Sequence, residues 1–152
     1  KPKVLFLDEP TTGVDPVSRK EFWDMLKRLQ QKGITILVST PYMDEAALCD
    51  RIALIQNGKI LKIDTPQAIV KHYPKPIYNV RASNMYQLIN SLNAYKHKHS
   101  VYPFGEFVHY TDNRLDFNPT ELIQYLESEK LVDITISKTE PTIEDTFMEL
   151  AK

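Results

Sequence analysis

The sequence contains few of the features that mark disulfide-bonded, membrane-spanning or nucleic-acid-binding proteins. Its one cysteine, Cys49, excludes an internal disulfide and is typical of a protein from a reducing compartment. No apolar run approaches the roughly 18–20 residues that a bilayer-spanning helix needs, so we expect any membrane connection to be made through a partner protein. The 19 basic and 20 acidic residues nearly cancel, and this balance predicts no nucleic-acid partner.

Glycine is scarce as well. The sequence has four glycines, at positions 13, 33, 58 and 105, and none of them is part of a G-x-x-x-x-G-K-[ST] loop. The 152 residues of the chain therefore lack the loop with which many α/β proteins hold the phosphates of a nucleotide.

The first part of the chain carries two wholly apolar runs, Val4–Leu7 and Ile34–Val38, which predict strands buried on both faces. Between them, Asp15-Pro16 has the signals of a helix start and Gly33 that of a helix end. A strand, a helix and a strand in this order predict two parallel strands joined by a right-handed crossover. This part of the chain is therefore predicted to be α/β.

Two further signals follow these runs. Thr40-Pro41 predicts the start of a short helix, with the proline in its first turn. Asn57-Gly58 lies between two apolar stretches and predicts a β-hairpin. The first part of the chain is thus expected to continue beyond its parallel strands with a short helix and a hairpin.

The chain changes character after Pro74, where the predicted order of elements becomes β-α-β-β-α-β, that of a ferredoxin-like domain. We therefore predict two domains, residues 1–74 and residues 75–152. Two helix starts in the second domain have the spacing of capping boxes: Asn84…Gln87 and Asn118…Glu121.

The most informative segment is Val4–Pro10, which places two adjacent carboxylates, Asp8 and Glu9, at the carboxyl end of an apolar strand. Ligand sites in open α/β sheets lie at that end of the strands. Because side chains alternate along a strand, the two carboxylates are directed to different places. One can bind Mg²⁺, which prefers oxygen ligands, and the other can face a phosphate and orient an attacking water.

Together with the following Thr11–Pro16, this segment resembles the Walker B motif and D-loop of the ABC ATPases, residue for residue. The resemblance implies that Asp8 binds Mg²⁺ and that Glu9 is the general base for attack of water on ATP. It also implies that Gly13 and Asp15 lie in the D-loop, which contacts the opposite subunit in the ATP-bound dimer. Asp15 is expected to cap the following helix in addition.

The segment Ser39–Ala46 resembles the switch segment that follows the next strand in the same family. Most members have a histidine at the position of Pro41, where it contacts the γ-phosphate. Proline has neither a side-chain donor nor a backbone N–H, so we expect a slow site or the degenerate half of an asymmetric pair. Asp44 and Glu45 are interpreted as acids that complement the helix dipole rather than as catalytic groups.

The final stretch, 141–150, resembles the ending of ABC-2-type exporter ATPases. The resemblance of the Walker B, D-loop and switch segments implies that residues 1–74 are the carboxy-terminal part of an ABC ATPase domain, a partial P-loop NTPase core with parallel strands, and the ending indicates the exporter subfamily. Residues 75–152 would then be a small accessory or regulatory domain. Because the signature motif and the Q-loop are also missing, we expect a fragment that is inactive alone, from a full-length ATP hydrolase that uses ATP and Mg²⁺ to power export.

The same resemblance implies a transmembrane permease subunit as partner and a second ATPase domain, as a homodimer or a tandem half. It implies a cytoplasmic location on the inner face of a bacterial cell membrane. An alternative is a regulatory or dimerisation module whose ATPase remnant is inert. A third, a non-transport ABC ATPase of DNA repair or translation, is disfavoured by the balanced charge and the exporter-like ending.

Overall fold

The computed structural model describes residues 2–152, which fall into two compact units, one ending at Pro66 and one spanning Gln67–Lys152. The first unit contains a parallel strand pair and an antiparallel hairpin, and the second contains an antiparallel sheet, so the mixed α/β class is confirmed. Of the helices within residues 2–152, none combines the length and the apolar character that a membrane-spanning helix needs.

The first unit is built on two parallel strands joined by a helix: β1 (Val4–Asp8), α1 (Pro16–Gln31) and β2 (Thr35–Ser39). The two strands end together, because Asp8 stands opposite Ser39 in the register. Helix α1 starts at Asp15, whose side chain accepts hydrogen bonds from two backbone amides, and it buries Trp23 and Leu26. The predicted strand–helix–strand unit with parallel strands is therefore confirmed.

Strands β1 and β2 are not buried on both faces, as their apolar runs predicted. Exposed and half-buried residues alternate along both strands. Val4, Phe6 and Leu37 are 46%, 73% and 61% exposed, and Phe6 stands directly opposite Leu37 in the sheet. Helix α1 packs against β2, whereas these three side chains are left to solvent. Val4, Phe6 and Leu37 thus form an apolar patch on the first unit.

The rest of the first unit consists of a short helix and a hairpin: α2 (Met43–Ala46), β3 (Ile52–Gln56) and β4 (Lys59–Asp64). Strands β3 and β4 pair antiparallel across Asn57 and Gly58. These two residues have φ values of 50° and 72°, and a two-residue type I′ turn requires positive φ at both positions. The predicted hairpin is therefore confirmed.

Helix α2 does not start where Thr40-Pro41 predicted. The Thr40 hydroxyl accepts a hydrogen bond from the backbone N–H of Tyr42, and this closes a turn that contains Pro41. Tyr42 is the residue immediately before the helix, which starts at Met43. The prediction of Pro41 as a first-turn residue is thus wrong, because the threonine side chain stabilises a turn instead of capping a helix.

The second unit contains one four-stranded sheet with helices packed on it. Its elements are α3 (Pro66–Lys71), β5 (Ile77–Arg81), α4 (Met85–Ala94), β6 (Lys98–Phe104), β7 (Phe107–Asp112), α5 (Pro119–Ser128), β8 (Thr135–Thr139) and α6 (Ile143–Leu150). The strand order is β6-β7-β5-β8, and each neighbouring pair is antiparallel. The buried core comprises Val80, Ala82, Leu88, Leu92, Tyr95, Val108, Tyr110, Leu122, Leu126 and Leu131.

Helix α3 is anchored in the second unit. Ile69 is fully buried, and its carbonyl accepts a hydrogen bond from Thr146 Oγ1 on α6 at 3.2 Å. Just after the helix, the Tyr73 hydroxyl lies 3.0 Å from Thr111 Oγ1 on β7. The compact unit therefore includes α3, whereas the sequence placed the domain boundary after residue 74.

Candidate functional site

The two predicted carboxylates lie at the carboxyl end of β1, beside the end of β2. Asp8 is the last residue of β1, and its carboxylate accepts a hydrogen bond from the hydroxyl of Ser39. The backbone N–H of Glu9 is 3.0 Å from the carbonyl oxygen and 3.0 Å from the hydroxyl of the same serine. Ser39 therefore joins both acidic residues to the neighbouring strand.

Glu9 has a backbone conformation that few residues other than glycine adopt. Its φ is 42°, in the left-handed region, directly after an extended strand. The chain turns sharply here, and Thr12 Oγ1 donates a hydrogen bond to Glu9 Oε2 at 3.2 Å. Such a conformation costs about 1–3 kcal/mol and is concentrated at functional sites, so it marks Glu9 independently of its charge.

The turn that follows leads directly into helix α1. Gly13 has a φ of 77°, which favours glycine, and no neighbouring atom lies within 4 Å of where a Cβ would be. Asp15 Oδ1 accepts hydrogen bonds from the backbone N–H groups of Val17 and Ser18, both at 3.0 Å. Hydrogen bonds from Ser18, and then Val17, lower the pKa of Asp15. The predicted cap is confirmed, and a contact to another subunit stays a prediction.

The segment after β2 offers fewer groups to a ligand than the turn after β1. Pro41 is exposed and has no N–H. Beside it, the guanidinium of Arg19 lies over the ring of Tyr42, 4.4 Å from the ring centre. The structure thus brings Ser39 to Asp8 and Glu9, while Pro41 has no side-chain donor to give to the site.

Glu45 is buried and accepts hydrogen bonds at both carboxylate oxygens, which its position in the sequence did not predict. Thr11 Oγ1 donates to Glu45 Oε1 at 2.6 Å, and Thr40 Oγ1 donates to Glu45 Oε2 at 2.6 Å. The residue is 1% exposed, and Arg19 Nε lies 3.5 Å from Oε1. The interpretation of Glu45 as an acid complementing the helix dipole is therefore insufficient, whereas exposed Asp44 fits that interpretation.

The electrostatics of this carboxylate follow from its partners. Burial by itself would raise the pKa of Glu45, but hydrogen bonds from Thr11 and Thr40, with contributions from Trp23 and Arg19, lower the pKa below its usual value. The buried Trp23 Nε1 itself makes no hydrogen bond within residues 2–152, so the two threonine hydroxyls are the side-chain donors that bond to this carboxylate. Glu45 is therefore a charged carboxylate within the first unit, held by side chains from three separate segments.

A divalent cation at this site would depend on the Asp8 carboxylate. Within residues 2–152, no group of three or more acidic, histidine or cysteine side chains is arranged to hold a metal ion. Mg²⁺ is usually bound through one or two carboxylates, with water and substrate phosphates in the other positions. The exposed Asp8 carboxylate, beside the Ser39 hydroxyl, fits this mode of binding.

The parallel strands joined by a helix, with Asp8 and Glu9 at the carboxyl end of β1, define the first unit as an α/β fold of the kind in which ligands bind at this edge of the sheet. More particularly, the chain resembles ABC transporter ATP-binding proteins of the drug-export and Nod-factor-export types. No family model matches it.

Three relatives illustrate the similarity. The chain is 52% identical over 66 residues to the probable multidrug ABC transporter ATP-binding protein YbhF of Escherichia coli K12, covering 43% of this chain and 11% of the relative. It is 52% identical over 61 residues to the daunorubicin/doxorubicin resistance ATP-binding protein DrrA of Streptomyces peucetius, covering 40% and 18%. It is 28% identical over 151 residues to the Nod factor export ATP-binding protein I of Rhizobium sp. N33, covering 98% and 47%. The chain thus spans less than half the length of each relative.

Proposed function

We propose that this chain is part of the ATP-binding subunit of an ABC exporter, in which it contributes to ATP hydrolysis coupled to transport. The observation that carries the proposal is the pair Asp8 and Glu9 at the end of β1, both held by Ser39. The similarity to export ATP-binding proteins supports the same assignment. The relatives are much longer than this chain, so the proposed activity belongs to a complete subunit.

The proposed catalytic roles are those that the family resemblance implies, and the geometry of the two strand ends supports them. Asp8 would bind Mg²⁺, and the ion would neutralise charge on the phosphates of ATP. Glu9 would accept the proton of the attacking water, with its carboxylate oriented by the bond from Thr12. Gly13 and Asp15 would form the D-loop, whose shape is supported by the positive φ of the glycine and the capping bonds of the aspartate.

The proposed partners are a transmembrane permease subunit and a second ATP-binding domain, with the protein on the cytoplasmic face of the membrane. The apolar patch of Val4, Phe6 and Leu37 supports a larger ATPase domain around the first unit, because contiguous exposed apolar side chains commonly mark an interface. We propose no nucleic-acid partner, since the net charge is −1.

The second part of the chain, residues 75–152 in the sequence-based division, is proposed to be a ferredoxin-like accessory domain that regulates the subunit or helps it dimerise. The strand order β6-β7-β5-β8, with the helices α4 and α5 inserted between strands, supports this classification. The alignment with the Nod factor export relative covers 98% of the chain, which supports an accessory domain of this kind in that relative too.

A second candidate function is a regulatory module with an inert ATPase remnant. The observation that favours it is Pro41, which has no hydrogen-bond donor to offer a phosphate. The two candidates predict different kinetics for a substitution of Glu9, since an inert site has no turnover to lose.

The deciding experiment is steady-state ATP turnover of the complete subunit, comparing wild type with Glu9→Gln. We expect kcat to fall about 10²–10⁴-fold, the usual contribution of a general base, while the Kd for ATP stays within about twofold. The matched control is Glu21→Gln, the same substitution at an exposed position of α1, which should leave kcat unchanged. Wild-type turnover in Glu9→Gln would instead favour the inert module.

A further inference from the structure

The structure contains two bridges that connect the carboxyl end of β1 to the carboxyl end of β2. Ser39 makes the first, through its bonds to Asp8 and Glu9. Glu45 makes the second, since one carboxylate oxygen is bonded to Thr11 and the other to Thr40, both at 2.6 Å. The first bridge therefore joins the two strand ends, and the second joins the turn after β1 to the turn after β2.

The second bridge is buried apart from half-buried Thr40, unlike the first. Glu45 and Thr11 are each 1% exposed, whereas Asp8, Glu9 and Ser39 lie at the surface. Arg19 compensates the charge in part, with its Nε 3.5 Å from Glu45. A buried carboxylate with well-placed hydrogen bonds fixes the positions of its donors, because leaving either hydroxyl or either oxygen unpaired is costly.

The positions of the two threonines connect this bridge to the site. Thr11 lies two residues after Glu9, inside the turn that gives Glu9 its positive φ. Thr40 directly follows Ser39 and directly precedes Pro41. Glu45 therefore fixes the position of the turn after Glu9 relative to the turn that contains Pro41.

We propose that Glu45 is a positioning residue for ATP hydrolysis, acting through Thr11 and Thr40 on the turn that carries Glu9. This inference rests on the proposed function. Without the Glu45 carboxylate, the two turns lose their shared acceptor, and the Glu9 carboxylate is less well placed toward the attacking water. Errors of this kind lower kcat while leaving the binding of ATP largely unchanged.

The test uses the complete ATP-binding subunit and four variants: Glu45→Gln, Thr11→Val, Thr40→Val and the control Asp44→Asn. We expect Glu45→Gln and each valine variant to lower kcat about tenfold or more, with KM for ATP changed less than about twofold. Asp44→Asn should behave as wild type, because that neighbouring carboxylate is 76% exposed. The fluorescence of Trp23, the one tryptophan of this chain and buried near Glu45, reports in the 152-residue chain whether each variant keeps its fold.

A double-mutant cycle separates positioning from general destabilisation. Glu45→Gln is combined with Thr11→Val in one double variant and with Thr40→Val in another. If Glu45 acts through the threonines, each double variant has a kcat only slightly lower than that of its single valine variant. Independent, multiplicative losses overturn the inference, and so does full kcat in Glu45→Gln. If Glu45→Gln does not fold, the valine variants decide, since wild-type kcat in both overturns the inference. A wild-type subunit without ATP turnover overturns the proposed function itself, and this is seen before any variant is compared.

Discussion

Glu9 combines an unfavourable backbone conformation with the proposed catalytic role. An L-residue in the left-handed region costs about 1–2 kcal/mol relative to its usual conformations, whereas glycine adopts the same φ readily. The bonds of the Glu9 N–H to Ser39 keep the backbone in this conformation. The strain is therefore located at the residue whose placement matters most for the proposed chemistry.

This strain makes a prediction about Glu9→Gly. We expect the substitution to raise the free energy of unfolding of the chain by about 0.5–1 kcal/mol, because glycine relieves the φ of 42°. In the complete subunit the same substitution should abolish turnover. Urea unfolding followed by Trp23 fluorescence measures the first effect, with Glu9→Gln as the control that keeps the strain. Lower stability of Glu9→Gly than of Glu9→Gln would contradict the strain argument.

Pro41 leads to a second prediction at the scale of one residue. Pro41 is exposed and lies before helix α2 rather than in it, so a histidine can replace it without breaking a helix. A hydrogen bond to a charged phosphate contributes about 1.5–3 kcal/mol, so we expect Pro41→His to raise kcat at least about tenfold. Pro41→Ala is the control, because it restores the N–H without a side-chain donor. Equal kcat in wild type and Pro41→His would count against an impaired switch.

The sequence predicted part of the site and missed the residues that connect it. Asp8 and Glu9 could be located because they follow an apolar run, a signal carried by adjacent residues. Ser39 could not, because its role comes from the register that sets it opposite Asp8. Glu45 was assigned to the helix dipole, because its partner Thr11 is 34 residues away in the chain and meets it only after folding.

At the scale of elements, helix caps were predicted with mixed success. Asn84 caps α4, accepting a hydrogen bond from Gln87 N at 3.0 Å, but the predicted capping box is incomplete because Gln87 Nε2 donates to the Glu129 carbonyl instead. Asn118 caps α5, but the capping box predicted with Glu121 is absent from it. The carboxylate of Glu121 is instead bound by Arg114 Nη1 at 2.8 Å. The side chain of Glu121 therefore forms an ion pair with Arg114 in the preceding loop, whereas the local sequence pattern predicted a bond to the backbone at the helix start.

The one complete capping box in residues 2–152 is at α6, where Thr142 and Asp145 bind each other's backbone. Asp145 is also 2.8 Å from Nδ1 of buried His109 on β7. We expect Asp145→Ala to lower the free energy of unfolding by about 3 kcal/mol, because it removes the acceptor of the Thr142 N–H and leaves a buried imidazole unpaired. Urea unfolding followed by circular dichroism measures this, with exposed Glu144→Ala as the control, within about 0.5 kcal/mol of wild type.

The contribution of Asp145 should depend on pH. Burial by itself would raise its pKa, but hydrogen bonds from His109 and Thr142 lower the pKa below its usual value. Because the folded-state pKa lies below the unfolded value of about 3.9, the stabilisation is fully present above that pH and is lost as pH falls through the folded-state pKa. The difference between wild type and Asp145→Ala should therefore shrink below about pH 4. A constant difference down to pH 2 would contradict this origin.

At the scale of the whole chain, the sequence predicted the order of elements better than their surroundings. The strand–helix–strand unit and the hairpin are both present. The burial of β1 was overestimated, because an apolar run specifies the side chains of a strand and not the elements that pack on each of its faces. Phe6 and Leu37 are therefore exposed although each of them lies in a largely apolar run.

The extent of the second unit leads to a prediction about the stability of two pieces of the chain, residues 67–152 and residues 75–152. The sequence placed a boundary after residue 74, but Ile69 and Tyr73 pack into the second unit, where they are 0% and 9% exposed. A chain of residues 75–152 lacks both side chains and leaves the Thr146 hydroxyl without its bond to Ile69 O. Losing a buried isoleucine typically costs 2–5 kcal/mol, so we expect residues 67–152 to be more stable than residues 75–152 by at least about 4 kcal/mol. Because small domains have a free energy of unfolding of only about 5–15 kcal/mol, the shorter piece should be largely unfolded at 37 °C.

Thermal unfolding of both pieces tests this prediction. The midpoint of Ile69→Ala in residues 67–152 is expected to lie between those of the two pieces. Equal midpoints would show that α3 does not stabilise this unit.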